Sequence, residues 1–116
     1  MRSKKILFTF EYEFFLGANS GSVEGCMLKP TSKVVALLEK FDLRGIFFVD
    51  TLYLVRLKEV ASKSAKAATD FKLIQKQLVW LVNNGHCVYP HIHPHWLDAI
   101  YDSELNTWSL LDLSKY

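Results

Sequence analysis

The sequence has no long hydrophobic run at its start. The apolar stretch from Ile6 to Phe10 is interrupted by Thr9 and stopped by Glu11. That is too short for a secretion signal and far too short for a membrane span, although Met-Arg-Ser-Lys-Lys at residues 1–5 resembles the basic end of a signal peptide. Cysteine is scarce: Cys26 and Cys87 are the only two, and they lack metal-type spacing. They read as free thiols in a reducing compartment, with the cytoplasm as the default location. Neither sign of charge dominates. The formal net charge is +2, and Lys63, Lys66, Lys72 and Lys76 are scattered as solvated helix faces would be. Nothing favours a nucleic-acid partner. Internal repeats and low-complexity segments are also missing. The loop from Gly17 to Gly25 is rich in glycine and serine but lacks the Gly-Lys-Ser/Thr ending of a phosphate-binding loop. It reads equally as a binding loop or as a mobile connector.

What is present suits one globular domain over residues 1–116. Half the residues are hydrophobic and 22% are charged, and a chain of this size buries roughly two-thirds of its unfolded surface. Four histidines occur, and three of them, His91, His93 and His95, fall within five residues. In an extended backbone, positions i, i+2 and i+4 point to one side. Three imidazoles would then project together where a strand leaves its sheet, with Pro94 suited to the strand's end. Neutral imidazole is a common zinc ligand, so a metal site is favoured over a hydrogen-bonded cluster.

The periodicity predicts alternating elements. Residues 5–11 read as a buried parallel strand ending in an acid. Pro30-Thr31-Ser32 starts a helix with the stripe Val34, Leu37, Leu38 and Phe41. Ile46 to Val49 reads as a second strand, followed by Asp50. Thr51 is a plausible cap for a helix through about Ala61. Residues 62–69 are a helix tail or a loop. Asp70 is expected to cap a third helix with the stripe Phe71, Ile74, Leu78, Leu81 and Val82, stopped at Asn83-Asn84-Gly85. Cys87 to Ile92 gives the third strand. Trp96 to Asp102 reads as a helical turn, and Leu105 to Tyr116 carries weak signals. Such an order implies an α/β fold with parallel strands joined by crossovers, and sites beyond the strands' carboxyl ends. Those ends carry Glu11 and Glu13, then Asp50, then His91 to His95. Trp96, beside them, is either a core residue or a ring that stacks on a ligand.

Three features in order resemble the polysaccharide deacetylase (NodB-homology) family. Thr9-Phe-Glu-Tyr-Glu13 sits where that family has Thr-Phe-Asp-Asp-Gly. Gly45-Ile-Phe-Phe-Val49 is similar to its second strand. His91-Ile-His-Pro-His95 sits where it has His-Ser/Thr-x-x-His, after a Gly-His ending like Gly85-His86. The resemblance covers residues 5 to about 96. It implies the N-terminal part of an irregular (β/α) barrel: about three parallel strands with flanking helices. It also implies hydrolysis of an amide, a non-peptide carbon–nitrogen bond, on an N-acetylated carbohydrate. A divalent ion, often zinc, would be held by a carboxylate and two histidines. Glu11 falls on the catalytic base and His91 and His95 on the metal histidines, with His93 able to replace either.

The departures are specific. Tyr12 stands at the metal aspartate's position, so Glu13 or Asp50 would supply the carboxylate. Glu11 is one methylene longer than the aspartate it replaces, and Ile92 replaces the serine or threonine. A (β/α) barrel needs roughly 200–250 residues, and the family's later motifs have no counterpart here. The expectation is therefore a truncated enzyme, inactive alone or completed by another chain, with open edges that favour self-association. The alternatives are a non-catalytic metal- or glycan-binding module and a structural fragment.

Overall fold

The computed structural model describes residues 3–16, 20–110 and 113–116. Three strands, β1 (Phe8–Tyr12), β2 (Gly45–Asp50) and β3 (Cys87–His91), form a parallel sheet in the order β1-β2-β3. Tyr12 lies opposite Val49, and Asp50 lies opposite His91. The strands therefore end on one rim, as the alternation of strands and helices predicts. Three helices connect them: α1 (Lys29–Lys40), α2 (Thr51–Ala61) and α3 (Ala65–Asn83). Among the described residues the sheet stays open at β1 and β3, and no barrel closes. None of these helices is long and apolar enough to cross a membrane.

The helices cover one face of the sheet. Phe47 packs with Val35 of α1 and Leu81 of α3, joined by Phe10 and Val88. Val49 and Tyr12 pack with Tyr53 and Leu57 of α2 and with Ile74 of α3. Gly45 starts β2 where a side chain would press on Leu38, Phe10 and Phe47. The alternate residues, Thr9, Glu11, Ile46, Phe48, Cys87 and Tyr89, point to the other face by the strand's period of two. None of these is buried.

Several local expectations change. A π-helical turn, Glu24–Leu28, runs straight into α1, so the buried stripe is Met27, Thr31, Val35 and Leu38. Leu37 and Phe41, expected inside, are exposed. The apolar residues of α1 cover more than one side, and docking against Phe47 selects which side is buried. α3 begins earlier than Asp70: Ser64 accepts a hydrogen bond from the Ala67 amide (3.2 Å) and caps it. Small residues at 65–69 made that turn look like a loop, yet alanine is the best helix former. Asp50, not Thr51, caps α2 by accepting from the Tyr53 amide (3.4 Å). Gly85 does take the left-handed conformation (φ 81°) beyond α3. Of the glycine- and serine-rich loop, residues 17–19 lie outside the described residues.

After β3 a 3-10 turn, Pro94–Asp98, leads to an antiparallel hairpin of β4 (Ile100–Asp102) and β5 (Thr107–Ser109). The hairpin was hidden in the sequence because its strands have three residues each. Its turn is made by Asp102, whose carboxylate accepts from the amides of Glu104 and Leu105 (2.9 and 3.0 Å), and by Asn106 at φ 53°. It delivers Trp108 to the aromatic core beside Trp96, Tyr53 and Tyr101.

Candidate metal centre

Two strand ends build the site, with the third beneath it. Glu13 follows β1, and His91 ends β3. His93 stands two residues on, still extended at φ −107° and ψ 107°. The i, i+2 alternation therefore holds as far as His93. The Nε2 atoms of His91 and His93 are 3.0 Å apart. Glu13 Oε2 lies 2.7 Å from His93 Nε2 and 3.6 Å from His91 Nε2. All three side chains are half-buried, and their ligand atoms lie within 4.8 Å of one another. Thr51 fixes this rim by donating to the His91 carbonyl (3.0 Å) from the start of α2.

The donor set fits a cation. A ring nitrogen carries either a proton or a lone pair, never both. His93 Nε2 faces a carboxylate oxygen and another ring nitrogen at once. One proton there must be shared between two acceptors. A bare nitrogen there would leave two donors competing for one lone pair. Neither proton arrangement satisfies all three atoms with straight hydrogen bonds, whereas a metal ion draws all three lone pairs to one point. Tetrahedral zinc with nitrogen and oxygen donors sets them roughly 3.3 Å apart, and the three separations bracket that value. Burial pushes the Glu13 carboxyl above its ordinary value and Glu11 adds to this by charge and a side-chain hydrogen bond, while His93 opposes it. Glu11, two residues before Glu13 in the sequence, is thus near enough to act on that carboxyl.

The remaining expected site residues adjoin this triad but are held by other partners. His95 falls in the 3-10 turn that Pro94 opens, so the strand alternation stops before it. Its Nε2 meets the Leu113 carbonyl (3.1 Å), its ring meets that of Tyr116 edge to face, and its Nδ1 is buried without a partner among the described residues. Asp50 is fully buried beneath the rim. Its two oxygens accept from the Tyr53 amide and from the Trp96 indole (2.6 Å). Burial pushes its carboxyl up, and those two bonds, with the nearby His93, partly offset the push. Trp96 has no exposed surface and packs on Phe14, Tyr53 and Trp108. It is a core residue whose ring faces are already covered, which removes it as a stacking platform. Tyr12 turns into the core, where its hydroxyl donates to Gln77 (2.9 Å).

Searches of family models, curated proteins and solved structures return no match for this chain.

What the triad can do therefore rests on its own chemistry. Two imidazoles and one carboxylate leave at least one coordination position for water or substrate, the arrangement of catalytic rather than closed structural zinc sites. Thr51 and Gln77 were not singled out for these roles by the sequence, because each acts through a backbone carbonyl or a hydroxyl distant along the chain.

Proposed function

We propose that the protein is a metal-dependent hydrolase of the carbohydrate de-N-acetylase type, acting on the amide of an N-acetylated sugar. The observation that carries this is the convergence of Glu13, His91 and His93, whose ligand atoms lie within 4.8 Å of one another. Those three residues would hold a divalent ion, for which zinc is the best match to two nitrogens and one oxygen. A divalent ion bound there lowers the pKa of water and polarises a carbonyl oxygen. Glu11, beside Glu13 on the bare face of the sheet, is the general base. The amide substrate and the partial (β/α) barrel come from the resemblance to polysaccharide deacetylases. An open parallel sheet with its helices on one face is compatible with one arc of such a barrel. Two unpaired cysteines suit a reducing, cytoplasmic setting.

A second reading is a metal- or glycan-binding module without turnover. The withdrawal of Asp50 into core hydrogen bonds favours it, because one of two candidate ligand carboxylates is then spent on structure.

Titration calorimetry with zinc chloride, checked by elemental analysis, tests the site. The protein is expected to take up one equivalent. A His91→Ala, His93→Ala double change should weaken binding at least a hundredfold, and His95→Ala should leave it within about twofold. No uptake, or uptake indifferent to the double change, removes the metal reading. Hydrolysis of N-acetylated chito-oligosaccharides then separates enzyme from module.

A further inference from the structure

The two edges of the sheet differ. β3 carries Pro90 within it, which has no amide hydrogen to offer a further strand. β1 carries no proline, and among the described residues only β2 pairs with it. Its approach is apolar and bare: Ile6 is 79% exposed and Leu7 72%. An open apolar edge is a template for another strand.

The charges say which strand. Residues 4–13 read Lys-Lys-Ile-Leu-Phe-Thr-Phe-Glu-Tyr-Glu, basic at one end and acidic at the other. Neither Lys5 nor Glu11 has an ion-pair partner among the described residues. Two copies aligned in parallel would oppose like charges. Aligned antiparallel about Phe8, residue i faces residue 16−i, so Lys5 faces Glu11 twice. Ile6 then faces Phe10, Leu7 faces Thr9, and Phe8 faces itself. Directly opposite side chains in an antiparallel pair stand about 5 Å apart, close enough for ion pairs and apolar contacts. A twofold axis makes such an interface self-complementary.

We propose that β1 is a homodimer interface: two copies pair antiparallel through residues 5–11, joining two three-stranded sheets into one of six. The pairing brings the partner's Lys5 beside Glu11, two residues before Glu13 in the sequence. The partner copy thus adds a cation to the acidic side of the metal centre. The inference rests on the edge and its charges, and stands whether or not the centre binds metal.

Sedimentation velocity on the full chain tests it. Wild type is expected to sediment as a dimer. Lys5→Glu and Glu11→Lys each turn two opposite-charge pairs into two like-charge pairs. Each should raise the dissociation constant at least about tenfold. An equimolar mixture of the two variants should recover the dimer, because every introduced charge then meets its opposite across the interface. Recovery also shows that both variants fold. A monomeric wild type, variants that dimerise as wild type does, or a mixture that remains monomeric would each overturn the proposal.

Discussion

At the scale of single residues, neighbours decide what a titratable group does. His86 shows this. It was notable in the sequence only as the partner of Gly85, yet it is buried and its Nδ1 accepts from the Gly45 amide (3.0 Å). That bond requires a bare Nδ1, so the ring is neutral with its proton on Nε2. Burial, aided by Arg44, lowers its pKa below the ordinary 6.5. Below 6.5 the unfolded chain takes up a proton before the folded one does. Stability is therefore present above that value and is lost as pH falls through the folded pKa. Urea denaturation across this range should show wild type weakening on acidification, and His86→Gln should flatten that slope. Trp96 makes the complementary point. Trp96→Phe keeps most of the packing but leaves a buried oxygen of Asp50 without its donor. The expected cost is about 1–3 kcal/mol in chemical denaturation at neutral pH.

At the scale of elements, ends matter more than middles. The position of β2 and the interior of α3 were legible from the apolar run Ile46–Val49 and the spacing of Ile74, Leu78 and Leu81, whereas the α1 stripe and a first strand buried on both faces were misread. Boundaries depended on single hydrogen bonds. Ser64 caps α3 and also meets the Tyr101 hydroxyl (3.1 Å), tying the helix start to the hairpin. Ser64→Ala should cost about 1–2 kcal/mol. Asp70→Ala should cost less than Ser64→Ala, since Asp70 caps no helix and its ion pair is with Lys66, one turn back on the same helix. Thermal or urea unfolding of the two variants checks the order, and a larger loss at Asp70 would contradict the placement of the cap. The same dependence on one residue governs the candidate metal centre. Pro94 ends the extended run, so His91 and His93 stay together and His95 leaves.

At the scale of the whole molecule, the helices leave one face of the sheet bare, and two apolar clusters meet on the other. Phe47 lies in the cluster shared by α1, β2 and α3. Phe47→Ala should cost about 3–5 kcal/mol through lost burial and the cavity left behind. Leu37→Ser, on a residue equally apolar but exposed, should change stability by less than about 0.5 kcal/mol. Equal losses at the two sites in urea denaturation would mean that α1 docks by another face. The large exposed residues Ile6 and Leu7 lead into β1, where the second copy is proposed to bind.

The sequence by itself determined the parallel α/β order, where the three strands run and the residue types gathered at their ends. Those properties follow from local period and residue type, which the chain carries at every position. Only the tertiary structure decided which of the acids and histidines lie together. Glu13 and His93 are 80 positions apart, and their meeting depends on strand register and on where the backbone turns at Pro94. Asp50 and Trp96 went to the core for the same reason: a carboxylate and an indole that satisfy each other in the interior are no longer available at the rim.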